Sequence, residues 1–278
     1  MNALTASSSP YKYLKKLGQS AISQTWLVRD TRCKSDALRI IQKIDFHTGN
    51  LSLVQYGQTL LGHKAQTLQA LFRDVASTYT IYNYFSQDRS FYTVQSLVRG
   101  KSLHRLCAQD MPVGLQIGPQ LAQVLLVLQQ SYSWGLGSCC LHPSDLIQRQ
   151  IDNSWVWTGT GILKTIVQQV GKPSLSLTDL FPKDTSAYFA PEFLQGHFDV
   201  STDLYTVGVA FIQTLTQLPL KDLVHGSDGY FTIRRNWYRQ RPIPDVLVET
   251  LNRMVNPNQT KRYSSIVEVL SNLEKLQP

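Results

Sequence analysis

The sequence predicts an α+β protein of two lobes, a small β-rich one first and a larger helical one after it. Three observations predict it. Residues 11–44 and 78–103 read as runs of alternating apolar and polar residues broken by turn formers, the pattern of half-buried antiparallel strands. From Leu204 to Leu218 the apolar residues lie on every side of a helical wheel. Helices apolar all round are buried, so this segment is the central helix of a globular unit. The charge divides along the same line. Residues 1–100 hold twelve Lys and Arg against five Asp and no Glu, or +7, and residues 101–278 hold fifteen against fourteen, or +1.

At 278 residues the chain fits one large domain or two lobes, enough to bury roughly three quarters of its unfolded surface. With 42% hydrophobic and 17% charged residues it is neither disordered nor fibrous. No apolar run approaches the ~20 residues of a membrane span. The start, MNALTASSSP, lacks the basic region and apolar core of a secretory signal. The four cysteines, Cys33, Cys107, Cys139 and Cys140, are scattered apart from one vicinal pair, which suggests a reducing, cytoplasmic setting. The basic first lobe suits a protein partner with an acidic surface, with nucleic acid or anionic lipid less favoured.

Residues 1–10 are small and polar and are expected to be disordered. The first lobe, 11–98, opens with three strands, YKYLKKLGQ, SQTWLVRD and SDALRIIQKI, then a helix through Leu68-Gln69-Ala70-Leu71. Two further strands follow around the Gln87-Asp88 turn, and Gly100 marks the crossover. The second lobe, 99–278, has a core helix over Ile117–Gln130 with Leu121, Val124, Leu125 and Leu128 at helical spacing. A segment around Ser138–Ile147 and a hairpin turn at Asp152-Asn153 come next. The central helix is capped by Ser201 or Asp203 and stopped by Pro219. Residues 226–241 interleave Tyr230, Phe231, Trp237 and Tyr238 with Arg234, Arg235, Arg239 and Arg241; packed aromatics with arginines in water account for this better than a nucleic-acid strip. Ser265-Ile266-Val267-Glu268 is a capping box that opens the last helix.

Just before the central helix stands Ala190-Pro191-Glu192. Asp203-Leu204-Tyr205-Thr206-Val207-Gly208 begins eleven residues after Glu192, and Asn256-Pro257 is followed by Lys261-Arg262-Tyr263. Together these resemble the A-P-E and D-x-Y-x-x-G elements and the late Arg of protein kinases, especially bacterial Ser/Thr kinases of the Hanks type. The resemblance covers about residues 11–276. It implies a bilobal protein kinase-like fold in which Glu192, Asp203 and Arg262 are structural, and Arg262 clamps Glu192 through a bidentate pair.

The positions that handle phosphate, metal and proton in that family depart from its pattern. The glycine-rich loop is Gly18-Gln19-Ser20-Ala21-Ile22-Ser23, where Ser20 and Ser23 replace glycines. The V-A-I-K strand reads Asp36-Ala37-Leu38-Arg39, so Arg39 replaces the phosphate-binding Lys. Its Glu partner is replaced by Lys64, since residues 1–191 contain no glutamate, and two cations ~4 Å apart repel. Gln95 falls at the back of the nucleotide cleft and Ser96 at the hinge. In the catalytic segment Ser138, Cys139 and Cys140 replace H-R-D, His142 replaces Lys and Asp145 replaces the metal-holding Asn. Gly159-Thr160-Gly161 stands for D-F-G, without its carboxylate. Cys139, Cys140 and His142 lack the spacing of a metal site. Thr185 and Ser186 occupy the substrate-docking end of the activation loop, but Cys139 removes the Arg that would read a phosphate there.

These departures lead to the expectation of a catalytically inactive kinase-like domain, a pseudokinase: no enzyme, no cofactor, no metal, but a vestigial cleft (Gly18, Ser20, Ser23, Ala37, Arg39, Gln95, Ser96) and a protein-binding scaffold or regulatory role. The alternatives are a residual nucleotide-binding, weakly active Ser/Thr kinase using residues such as Arg39, His142 and Asp145, and a binder of nucleic acid or acidic surfaces through the basic lobe.

Overall fold

The computed structural model describes residues 9–33, 37–73, 75, 79–107, 117–136, 140–170, 176–182, 185–223 and 243–276. The Arg234–Arg241 stretch, Ser138, Cys139 and Asp36 fall outside them. Two compact units result, residues 1–98 with 163–182, and residues 99–162 with 183–278.

The first unit is a five-stranded antiparallel sheet in the order β1-β2-β3-β5-β4, with strands Tyr11–Gln19 (β1), Ser23–Asp30 (β2), Ala37–Asp45 (β3), Ile81–Gln87 (β4) and Ser90–Ser96 (β5). One long helix, Leu51–Phe72 (α1), crosses it; Asn50 caps the helix, its Oδ1 accepting from Ser52 N–H at 3.0 Å. The side chains of α1 that face inward are Val54, Leu61, Ala65, Leu68 and Phe72. Gln69 Nε2 donates to Ile81 O at 2.9 Å and Gln58 Nε2 to Asp88 O at 3.0 Å, tying α1 to β4 and the β4–β5 turn. The ring of Tyr84 stacks on that of Phe91 (centroids 6.2 Å apart) and lies beside Gly62 of α1, so Tyr84 and Phe91 mark the face that α1 covers. The opposite face carries its own cluster, Tyr11, Val28, Ile41, Tyr92 and Val94, roofed by Tyr13, Trp26 and Phe85.

The second unit begins with a short strand, Gly100–Ser102 (β6), which pairs with Leu146–Arg149 (β7) and through it with Trp155–Trp157 (β8). Gly100 is required there, because a Cβ would come within 2.0 Å of Gln148 O. Its helices are Leu103–Cys107 (α2), Ile117–Ser133 (α3), Val200–Thr216 (α5), Leu220–Leu223 (α6), Asp245–Met254 (α7) and Ile266–Leu273 (α8), and helix Thr160–Val170 (α4) runs from this unit into the first. Every residue of α5 from Ser201 to Leu215 is buried, as an all-apolar helix requires. A Cβ on Gly208 would meet Val255 Cγ1 at 2.7 Å, so the glycine permits the close approach at the end of α7.

Two expectations are corrected here. The cap of α5 is Asp199, whose Oδ1 accepts from Ser201 N–H (2.8 Å) and Thr202 N–H (3.1 Å), which leaves Asp203 to point elsewhere. Residues 163–182, assigned above to the second lobe, sit with the first unit. A Cβ on Gly57 of α1 would meet Val170 Cγ1 at 3.0 Å, and Asp179 O accepts from Ala21 N–H at 3.2 Å, so α4 and the segment after it pack on α1 and the β1–β2 turn.

Candidate functional site

In the second unit the structure gathers Cys140, His142, Asp145 and Gly159 around one loop. Asp203, on the first turn of α5, holds that loop: its Oδ1 accepts from Leu141 N–H at 2.9 Å and its Oδ2 from Tyr132 OH of α3 at 2.6 Å. Cys140 is buried at φ +43°, a left-handed conformation that Asn and Asp tolerate better than most side chains. His142 and Asp145 cap a short turn reciprocally. His142 Nδ1 accepts from Ser144 N–H at 3.1 Å, while Asp145 Oδ2 accepts from His142 N–H at 3.1 Å. Asp145 O in turn accepts from Thr158 N–H at 2.8 Å, which fixes Asp145 beside the start of the Gly159 turn. Gly159 has φ +59°, the region in which glycine carries no Cβ penalty.

His142 is fully buried, in a ring cluster with His104 (5.7 Å), Tyr188 (5.6 Å) and Phe189 (6.1 Å). The alternative that gave His142 a phosphate to touch is corrected by this burial. Around it Tyr188 OH donates to Gln213 Oε1 at 2.5 Å and lies 3.2 Å from His104 Nδ1. Burial pushes the Tyr188 phenol well above its ordinary range, moves the Cys107 thiol up to about 12, and holds His104 below the usual imidazole range. Thr185 is buried and Ser186 exposed at the turn leading to Ala190-Pro191-Glu192.

Arg262 clamps Glu192 as expected. Nη1 donates to Glu192 Oε1 and Nη2 to Oε2 at 2.8 Å, and Arg262 Nε donates to Asn256 O at 2.6 Å. The Arg262 side chain is 0% exposed and the guanidinium lies 4.9 Å from the Tyr205 ring centre.

In the first unit the turn that should cradle phosphate has spent its amides. Ser20 N–H donates to Ser23 O (2.8 Å), Ala21 N–H to Asp179 O (3.2 Å), and the N–H groups of Ile22 and Ser23 to Ser20 Oγ (3.3 and 3.2 Å). The hydroxyls of Ser20 and Ser23 thus close the hairpin, and Gly18 has open space around it. Ser96 is likewise used locally, its Oγ accepting from Thr80 N–H at 3.0 Å. Gln95 is buried, its Nε2 donating to Thr93 Oγ1 at 2.7 Å.

Arg39 is not where the sequence reading put it. Side chains alternate along β3, and Arg39 shares a face with Ile41 and Lys43, the face opposite α1. Its guanidinium lies 4.0 Å from the Tyr82 ring centre and Nη1 donates to Leu38 O at 3.3 Å. Lys64 belongs to α1, on the other side of the sheet, so the expected repulsion between Arg39 and Lys64 does not arise. Ala37 pairs with Asp30 at the open end of β3. On the α1 face stand Ile40, Gln42 and Ile44, with Gln42 opposite Thr25 and Thr93. Gln42 is the residue the sequence reading missed. The period of two would have found it, but apolar residues on both faces of β3 hid the phase.

The loop does not fit the Mg²⁺ that the fold family uses. Asp145 is its one carboxylate, Gly159 supplies none, and Mg²⁺ at nucleotide sites is usually held by one or two carboxylates plus phosphates. Among the described residues no group of three or more His, Cys, Asp or Glu could hold a metal ion.

The chain is similar to serine/threonine-protein kinase D of Synechocystis sp., 28% identical over 269 residues, and to serine/threonine-protein kinase B of the same organism, 23% identical over 268 residues. Serine/threonine-protein kinase PknA of Nostoc sp. is 24% identical over 270 residues. The matches cover 96, 95 and 95% of this chain but 52, 46 and 47% of those proteins, so the chain spans about half the length of the curated relatives it matches. The crystal structure of the Mycobacterium tuberculosis PknI kinase domain superposes with a TM-score of 0.61 at 16% identity, covering 99% of this chain and 100% of that one, and a point variant of it with 0.63. No family model matches. The fold is therefore that of a protein kinase, and the relatives are bacterial Ser/Thr protein kinases. They also overturn the expectation of a non-enzyme. Several relatives named as Ser/Thr protein kinases, at 23–28% identity over nearly the whole chain, point to an enzyme. The expectation took substitutions at single positions as loss of activity.

Proposed function

We propose that this protein, whose fold and relatives are those of bacterial Ser/Thr protein kinases, is itself a nucleotide-binding Ser/Thr kinase of low activity. The observation that carries the reading is the supported scaffold of the transfer loop: Asp203 anchors Leu141 N–H, and the Arg262–Glu192 clamp holds the segment after Thr185. A chain that had only drifted would have no reason to keep both. The loop sets the rate low. Cys140 stands where an aspartate would orient the substrate hydroxyl, and loss of a positioned general base costs roughly 10²–10⁴-fold. Of the residues once considered as replacements, Arg39 faces away from α1 and His142 is sealed in its ring cluster, which leaves Asp145 as the loop's carboxylate. The partner is a protein substrate with an acidic surface, met by Lys12, Lys15 and Lys16, all exposed along β1.

Phosphate transfer from radiolabelled ATP to a mixed Ser/Thr peptide substrate tests the reading. The wild-type chain gives slow transfer that Asp145→Ala abolishes. Cys140→Asp raises it by roughly 10²-fold or more, because aspartate restores the base and suits φ +43°. Absence of transfer from both the wild-type chain and Cys140→Asp would overturn the reading.

A further inference from the structure

Gln42 is 2% exposed at the centre of β3, and its Oε1 is buried with no hydrogen-bond partner. Buried amides are ordinarily paired, so an unused one in a well-packed sheet is a cost with no structural return. It is not isolated. Directly opposite on β5 is Thr93, which takes the Nε2–H of Gln95, so Gln42, Thr93 and Gln95 form a polar strip on a face otherwise made of Ile40, Ile44 and Phe91. On its other side Gln42 faces Thr25 of β2, two residues beyond the Ser20–Ser23 turn. The amide can turn either end toward a ligand, offering N–H donors or a carbonyl acceptor.

We infer that Gln42, and not Arg39, is the β3 residue that meets the nucleotide, donating its Nε2–H to a phosphate oxygen of a nucleoside di- or triphosphate. The inference rests on the kinase reading above and adds to it which residue of the first unit does the binding. Arg39 cannot do it from the opposite face, where its guanidinium already stacks on Tyr82. A neutral amide in this place makes a weaker bond to phosphate than a cation would, consistent with a slow enzyme.

The test uses the full chain, a fluorescent ATP analogue titrated with and without Mg²⁺, and thermal melts of the ligand-free protein. Gln42→Leu weakens nucleotide binding by roughly tenfold while raising the ligand-free melting temperature, because the unpaired buried amide is gone. A residue with a merely structural hydrogen-bonding role would move the melting temperature the other way. Gln42→Lys tightens binding by roughly tenfold, since a charged donor replaces a neutral one. Arg39→Gln binds as the wild type does. If Arg39→Gln loses binding and the Gln42 variants do not, the inference fails and the kinase reading stands. A Gln42→Leu protein that melts lower and binds normally also overturns it. If neither the wild type nor Gln42→Lys binds nucleotide, the inference and the kinase reading fall together.

Discussion

Replacing Arg262 by alanine removes a guanidinium whose bonds are all spent inside the second unit. Two go to the carboxylate of Glu192, one to Asn256 O at 2.6 Å, and two longer ones to Ser201 O and Pro257 O, each 3.3 Å. The Glu192 side chain is 11% exposed, so water reaches its carboxylate poorly once the cation has gone. An exposed ion pair contributes roughly 0–1 kcal/mol, whereas removing one partner of a buried pair costs roughly 3–5 kcal/mol. The burial places Arg262→Ala in the second range. For a chain of this size such a loss lowers the melting temperature by roughly 6–20 °C. Calorimetry or a urea titration followed by circular dichroism reads it directly. Arg262→Lys keeps the charge but loses the fork, and falls between the wild type and alanine. Glu192→Ala with Arg262→Ala costs clearly less than the sum of the two single changes, because neither charge is then left alone. An Arg262→Ala protein within 1 kcal/mol of the wild type would refute the reasoning, for it would mean that the buried geometry contributes no more than a surface pair.

Gly208→Ala drives a Cβ to 2.7 Å from Val255 Cγ1 and costs roughly 1–3 kcal/mol, measurable as a lower denaturation midpoint with an unchanged slope. Asp203→Ala deprives Leu141 N–H and Tyr132 OH of their acceptor, destabilises by roughly 1–3 kcal/mol, and loosens the loop at Cys140, which hydrogen exchange at Leu141 reports. Burial holds the folded His104 below its unfolded value near 6.5, so the unfolded chain takes up the proton first. The stability from His104 is present above about pH 6.5 and is lost as pH falls toward the folded value, so the melting temperature between pH 7 and pH 5 drops more steeply for the wild type than for His104→Gln. Cys107, raised to about 12, runs the other way: its contribution is lost as pH rises past about 8.5, and Cys107→Ala flattens the alkaline limb. Reversing Lys12, Lys15 and Lys16 to Glu slows capture of an acidic peptide substrate at low salt and has little effect at 1 M salt, where the Debye length is ~3 Å.

The sequence by itself determined the features written as residue type at fixed spacing. The strands of the first lobe, the all-apolar α5 and the pairing of Glu192 with Arg262 across seventy residues were legible, because a helix apolar all round has one home and a buried carboxylate needs a cation. Only the tertiary structure decided which way side chains face. Arg39 and Gln42 are three residues apart in a strand apolar on both sides, where a slip of one residue exchanges the faces and composition carries no phase. The cap of α5 was open among nearby oxygens until the chain path gave Asp199 the helix N–H groups and turned Asp203 to the Cys140 loop. His142 reads as an available imidazole until Tyr188 and Phe189, more than forty residues on, close over it. Residues 163–182 follow the second lobe in sequence but pack against α1 through Val170, because a contact made at long range outweighs chain order. Local pattern specifies which elements form. Burial, face and partner are properties of the packed chain, and the chemistry of this site depends on them.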